Sequence, residues 1–366
     1  MNVLLCPNAF KGTITASEAA SIMAEVISEA SSTANPLQFP VSDGGDGFIE
    51  CLTNRIPAVQ RIITVSNPLG HEIQVPVLVA GNRWFIESAT MCGFRAVSGL
   101  HPKSASSKGL GEAIVTALKN GARSIVIGVG GSISIDLGLG MAWALGARFY
   151  DKAGRSFEPR GAKDLSRIAE VRIDKIDSRI SSTEFVAACD VTTSLTGHDG
   201  GLAIFSPQKG ASPDLIEEIL KEGERLSALF AAKTGRCSHL EAGTGAAGGI
   251  GAALGWFCNA GLCSGFDYWS HLVNFEKLLA SADVVVTGEG RLDETSLRGK
   301  ATGRILLQCI DLGKPLTIIC GNLTTDVPYA SVFTMKADGA EQSGSLTAVR
   351  SLFARTCNKA FRAFLR

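Results

Sequence analysis

Short apolar runs that stop abruptly in loops of glycine and acid, each followed by a helix-forming segment, constrain this chain more than any other feature. Val3-Leu4-Leu5 runs into Cys6-Pro7-Asn8-Ala9-Phe10-Lys11-Gly12-Thr13, and Val284-Val285-Val286 runs into Gly288-Glu289-Gly290-Arg291-Leu292-Asp293. Runs of this kind read as strands buried on both faces, and strand–loop–helix repeats read as βαβ units with parallel strands. After the first loop, Thr15 and Glu18 have the spacing of a capping box, ahead of an apolar face of Ala19, Ile22, Met23, Val26 and Ile27. Leu37–Val41 is a second strand candidate, leading to Ser42-Asp43-Gly44-Gly45-Asp46-Gly47 and a helix opening at Phe48. Near the other end, a helix around Arg304–Ile310 leads to a strand at Leu316–Cys320. Ligands of open parallel sheets bind outside the carboxyl ends of the strands, which makes these loops the candidates for chemistry.

The middle of the chain reads differently. Arg61–Val65, Glu72–Val79 and Arg83–Glu87 alternate as antiparallel strands do, with turn residues at Asn67-Pro68-Leu69-Gly70 and Gly81-Asn82. A strand at Ser124–Val129, a glycine turn, a helix to about Leu145, a strand at Glu184–Cys189 and a long helix begun by Ser212-Pro213 follow. The expected fold is α/β with two domains. A parallel-sheet domain is built from residues 1–61 and 281–366, and a mixed-sheet α/β domain, residues 62–280, is inserted between them. A length of 366 residues suits two domains of ordinary size.

Formal net charge is zero and both signs are interspersed, without the basic stripe of a nucleic-acid binder. The ten cysteines form no C-x-x-C pair and no zinc spacing, the pattern of reduced thiols in a cytoplasmic protein. The uncharged stretch Ala242–Phe266 is long enough to span a bilayer, but its glycines and Asn259 read as a buried helix against a loop. The start of the chain lacks the pattern of a signal peptide. No G-x-x-x-x-G-K-[ST] and no G-x-S-x-G occurs. Gly243-Thr244-Gly245-Ala246-Ala247-Gly248 matches G-x-G-x-x-G, yet it follows a polar segment rather than a strand, so a dinucleotide site is not expected.

Several loops remain. Gly130-Gly131-Ser132 follows a strand and precedes a helix, the arrangement that clusters free N–H groups around phosphate; Gly245, Gly248 and Gly249 offer similar backbone. Asp43 stands on a glycine loop and Asp190 ends an apolar strand, so either suits a Mg²⁺ ligand or a proton acceptor. Arg291 suits a substrate carboxylate, with Glu289 and Ser296 as further substrate contacts, while Lys11 and Lys300 are cations for phosphate. Each has a plain alternative as a solvated turn, a loop cap or a surface ion pair.

The loops together resemble the bacterial glycerate kinase family. The resemblance is carried by Pro7-Asn8-Ala9-Phe10-Lys11-Gly12, Asp43-Gly44-Gly45-Asp46-Gly47, Asn67-Pro68-Leu69-Gly70 and Gly128-Val129-Gly130-Gly131-Ser132 through Asp136. It continues with Ala188-Cys189-Asp190-Val191, Phe205-Ser206-Pro207-Gln208-Lys209-Gly210-Ala211, Gly245-Ala246-Ala247-Gly248-Gly249, Thr287 through Asp293, and Leu297-Arg298-Gly299-Lys300. The resemblance implies transfer of a phosphoryl group from MgATP to D-glycerate, usually giving 2-phosphoglycerate. It also implies a flavodoxin-like domain from the two chain ends, a second α/β domain from the middle, and a site in the cleft between them. ATP, Mg²⁺ and D-glycerate are the expected ligands, with no nucleic-acid or membrane partner. Asn8-Ala9 stands where the family commonly has Asp-Ser, and Ile135 where it has Asn. The alternatives are a kinase for another small hydroxy acid or a diverged metabolite-binding relative.

Overall fold

The computed structural model describes residues 1–10, 12–297, 299–335 and 345–364. The chain separates into two compact units: Met1–Asp43, Glu50–Arg55 and Phe266–Arg366 form the first, Gly44–Ile49 and Ile56–Gly265 the second.

The first unit is built on a five-stranded, wholly parallel sheet in the order Ser331–Thr334, Leu316–Leu323, Val284–Leu292, Asn2–Pro7, Asn35–Gln38. Counted along the chain, this is the order 2-1-3-4-5 of flavodoxin-like sheets, which places a topological switch point between Asn2–Pro7 and Val284–Leu292. The apolar runs behave as their composition demands: Val3, Leu4, Leu5, Val285 and Val286 are fully buried, because helices cover both faces. On one face Val3, Leu5, Val284, Val286 and Ile319 meet helices Ala16–Ala30 and Leu346–Phe364, and Phe10 packs edge-on against Phe353 with ring centroids 4.9 Å apart. Helix Ala301–Asp311 packs on the central strand Val284–Leu292.

The first helix begins as its sequence predicts, with Thr15 Oγ1 accepting from the Glu18 N–H at 3.2 Å. The reciprocal half of the box is not used, since the Glu18 carboxylate pairs with Arg350 of the last helix. Regular pairing of the second strand ends at Gln38, before Val41. The Phe39 and Val41 amides still bond to the Leu5 and Pro7 carbonyls, but Pro40 has no N–H to add. Residues 266–281, expected in the inserted domain, pack with the first unit. Phe266, Trp269 and Phe275 form one aromatic cluster with Phe39.

The second unit holds a six-stranded mixed sheet: Gly261–Ser264, Glu184–Cys189, Ser124–Gly128 and Arg83–Glu87 run parallel, and Glu72–Ala80 and Val59–Ser66 complete it antiparallel. A three-stranded sheet of Ser156–Phe157, Arg148–Tyr150 and Glu170–Arg172 is an addition that periodicity did not reveal, because its strands are two or three residues long. Helix Pro213–Thr234 starts where expected, capped by Ser212 Oγ accepting from Leu215 N–H at 3.3 Å. The uncharged stretch resolves into a turn at Ala246–Gly249, a buried helix Ile250–Cys258 and an edge strand; no helix of the described residues is long and apolar enough to cross a membrane.

Eight of the ten cysteines are buried, all ten are free thiols, and burial pushes Cys92, Cys189, Cys258 and Cys309 up to about 12 and Cys320 to about 11, with Cys6 and Cys357 also raised. An unfolded thiol ionises near about pH 8.5. Above that pH the unfolded chain holds fewer protons than the folded one, so stability is complete below about pH 8.5 and falls as pH rises toward the folded values. Lys209, pushed down to about 7 by burial, contributes the opposite slope but is one group against seven. The urea midpoint should therefore decline steadily from about pH 8.5 to 11 (about 1.4 kcal/mol per pH unit for each thiol ionised in the unfolded chain only). Ellman's reagent should label Cys237 at once, Cys263 more slowly, and the others only on denaturation; rapid labelling of the buried thiols in folded protein would contradict this packing.

Candidate active site

At the switch point of the first unit, the chain delivers polar groups to the carboxyl ends of the two central strands. Asn8 follows its strand and is pinned by its own N–H, which donates to the Gly288 carbonyl at 2.8 Å. Its Oδ1 accepts from Ala9 N–H at 2.8 Å, and its Nδ2 donates to Asp43 Oδ2 at 3.2 Å. An amide at position 8 thus turns a donor toward Asp43, where a second carboxylate would repel it.

Glu289 lies on the neighbouring strand, facing Ser296, Thr302, Lys300 and the Asp43 carboxylate. Ser296 Oγ donates to Glu289 Oε2 at 2.9 Å. Glu289 Oε1 and Thr302 Oγ1 are both buried, and among the described residues neither has a hydrogen-bond partner; the threonine is close enough to favour the ionised acid, but the geometry falls short of a hydrogen bond. Burial raises the Glu289 carboxyl above its ordinary range and Asp43 adds to the rise, against Thr302, Ser296 and Lys300. Arg291 is exposed, with its Nε 3.3 Å from Asp293 Oδ2 rather than on Glu289. Burial raises the Asp293 carboxyl, but the Thr295 hydroxyl, the Ser296 N–H and Lys300 outweigh it and leave the group lowered. Lys300 Nζ donates to Thr295 Oγ1 at 2.9 Å, just ahead of helix Ala301–Asp311.

In the second unit, the carboxyl ends of the parallel strands carry the other candidates. The Gly130–Ser132 turn is present, but several of its groups are engaged. Gly130 exchanges hydrogen bonds with Ser88 Oγ through its N–H (3.2 Å) and carbonyl (3.1 Å). Ser132 Oγ turns inward to Ser134 Oγ at 2.9 Å and accepts from Ser134 N–H. The 44–46 loop lies directly on the turn: a Cβ at Gly130 would sit 2.7 Å from Gly45 Cα, and one at Gly131 would sit 2.8 Å from Asp46 Oδ1. Asp190 ends its strand as expected and accepts from Ser264 Oγ at 3.4 Å.

Gly245, Gly248 and Gly249 line an interior seam. Their Cβ positions would fall 2.4 Å from Ser194 O, 2.0 Å from Ser134 O and 2.7 Å from Leu137 Cα respectively. Backbone approach inside the unit requires glycine at these positions.

Beside that seam lies a buried ionic group that the sequence did not disclose. Lys209 is 3% exposed, and its Nζ donates to Ser134 O at 2.8 Å. Burial lowers it to about 7, and Asp136 and Cys92 push the other way. Asp136 is fully buried and accepts from Ser107 N–H (2.7 Å), Ser107 Oγ (2.8 Å), Gly140 N–H (3.2 Å) and Gly138 N–H (3.3 Å); burial raises its carboxyl all the same. A lysine between glutamine and glycine reads as a surface residue, and only tertiary packing buries it. Glu87 was within reach of sequence reasoning, being an acid at the end of an apolar strand, the criterion that selected Asp190. Lys11 lies outside the described residues. Among the described residues no three His, Cys, Asp or Glu side chains converge as a metal site. Magnesium that binds with a nucleotide needs only one or two carboxylates, so the lack of such a cluster does not bear on it.

Two α/β units that gather acids, cations and glycine turns at the carboxyl ends of parallel strands define an enzyme for small anionic substrates. Residues 3–358 match the model of the glycerate kinase family. The chain is 34% identical over 335 residues to the glycerate 2-kinase of Escherichia coli K12, covering 89% of this chain and 87% of that one. It is 32% identical over 332 residues to the glycerate kinase of Bacillus subtilis 168, covering 89% and 86%. A crystal structure from Salmonella typhimurium LT2, assigned to glycerate kinase 2, superimposes with a TM-score of 0.78 at 33% identity, covering 100% of this chain and 98% of the other. The chain belongs to the glycerate kinase family and is a glycerate kinase enzyme.

The packing reading of the seam separates from a ligand reading by one substitution. Gly248, at φ +70°, should not tolerate alanine: Gly248→Ala should cost about 2–4 kcal/mol in urea unfolding. Gly261→Ala, where nothing lies within 4 Å, should stay within about 0.5 kcal/mol. A Gly248→Ala protein of unchanged stability that fails to bind ATP would assign this glycine to the nucleotide instead.

Proposed function

We propose that this enzyme transfers the γ-phosphoryl group of MgATP to the 2-hydroxyl of D-glycerate. The observation that carries the reading is the polar cluster at the switch point, where Asn8 bonds to Asp43 and the charges of Asp43 and Lys300 both act on Glu289. Such a cluster suits a hydroxy acid next to a metal nucleotide, because it offers acceptors for hydroxyls and a cation for phosphate. The name of the Escherichia coli relative supports the 2-position.

Bound MgATP supplies the electrophilic phosphorus. The protein's share is positioning and charge stabilisation. In this reading Arg291 turns from Asp293 to the glycerate carboxylate, Lys300 faces phosphate oxygens, and Lys11 is assigned to neutralise phosphate charge. Gly131 offers backbone to the nucleotide. Asp190 or Asp43 takes the hydroxyl proton or holds Mg²⁺. Ser296 acts on substrate indirectly, since its hydroxyl is committed to orienting Glu289 and to the Arg291 carbonyl at 3.1 Å.

ADP release with D-glycerate, L-glycerate, tartronate and glycolate, followed by phosphorus NMR of the product, tests the proposal. D-glycerate should have the highest kcat/KM and the product should carry phosphorus on C2; a 3-phosphate product or a preferred second acid sinks the specific claim. Arg291→Ala should raise KM for glycerate by about tenfold or more while KM for ATP stays within about threefold, because a charge-assisted contact is worth roughly 1.5–3 kcal/mol. The opposite split would move Arg291 to the nucleotide. Lys11→Ala should lower kcat/KM at least about tenfold with folding intact.

A further inference from the structure

Glu87 closes the parallel strand Arg83–Glu87 and is 4% exposed. A buried carboxylate is costly unless hydrogen bonds replace its water. Here Oε1 accepts from Gly47 N–H at 3.0 Å and Oε2 from Ile49 N–H at 2.9 Å. Both donors belong to a segment with an unusual place in the chain. Gly44–Ile49 is part of the second unit, while its sequence neighbours Asp43 and Glu50 are part of the first.

That segment lies on the strand ends through close backbone contact. A Cβ at Gly44 would meet Ala188 O at 2.4 Å, Gly45 Cα lies on Gly130, and Asp46 Oδ1 lies beside Gly131. Packing of this kind sets how closely the loop approaches the sheet. Two charge-assisted hydrogen bonds to one rigid strand end add direction and fix where along the edge it sits. Asn8 holds Asp43, the residue just before the loop, within the first unit.

We propose that Glu87 is a positioning residue for phosphoryl transfer: its carboxylate seats the 44–47 loop on the Gly130–Gly131 turn and so places Asp46 for MgATP. The proposal rests on the kinase reading above. It assigns to Glu87 a role that the sequence analysis did not give it.

Glu87→Gln keeps the volume and leaves one acceptor oxygen in place of two. In hydrogen exchange followed by mass spectrometry, peptides covering residues 44–50 should exchange at least about tenfold faster, and those covering 124–128 should not change. In the same protein, kcat for ADP release should fall at least about tenfold, with KM for D-glycerate within about threefold. Glu87→Asp, a charged group on a shorter stem, should recover loop protection and kcat together. Loop exchange that speeds up while kcat stays within about threefold of wild type overturns the functional role. Unchanged loop exchange overturns the clamp, and so does loss of protection that extends to 124–128 in both variants. A wild-type chain that releases no ADP sinks the kinase reading and this role in transfer with it, whereas the exchange result alone decides whether Glu87 holds the loop.

Discussion

Backbone laid directly on backbone is the constraint that the rest of this structure depends on. Gly44 presses on the Ala188 carbonyl, Gly130 on Gly45, Gly248 on the Ser134 carbonyl and Gly245 on Gly201. At each point a single methyl group would overlap a neighbouring main-chain atom. Loops from distant parts of the chain can therefore meet at the strand ends only because side chains are missing there. The 41 glycines of this sequence find much of their explanation in this role. A glycine-rich loop is a statement about close approach, and the approaching group is as often protein as phosphate.

Close backbone packing leaves little room for water, so the polar groups it traps need partners inside the protein. Asp136 collects four donors, and Glu87 collects two backbone N–H groups. Lys209 reaches a carbonyl across the same seam. Each of these groups fixes one segment of backbone against another. Glu289 differs, because among the described residues one of its oxygens is buried without a partner near an equally unpartnered threonine hydroxyl. Incompletely paired acids in a sheet's switch-point crevice are the usual mark of a site prepared for a ligand.

Much of this was legible in the amino-acid order. The runs Val3-Leu4-Leu5 and Val284-Val285-Val286 announce central parallel strands, since only a strand covered on both faces is apolar without alternation. Ser212-Pro213 announces its helix by chemistry that acts within one turn. Asp190 stands at its strand end where its position in sequence puts it, whereas Glu289, expected in a loop, lies within strand Val284–Leu292. Local rules of this kind determine element type, the parallel class of the sheet and the short list of loops, because strand burial and helix capping are decided over a few residues.

Tertiary structure decided what those loops do. The sequence alone could not show that Ser132 and Ser296 spend their hydroxyls internally, that Gly245, Gly248 and Gly249 form a packing seam, or that Lys209 is buried beside Asp136. Nor could it place Phe266, Trp269 and Phe275 with Phe39, whose ring lies more than two hundred positions away in the chain. Each of these outcomes depends on which segments meet across long sequence separations. A side chain's free energy is set by the neighbours that displace its water, and those neighbours exist only once the sheets have assembled.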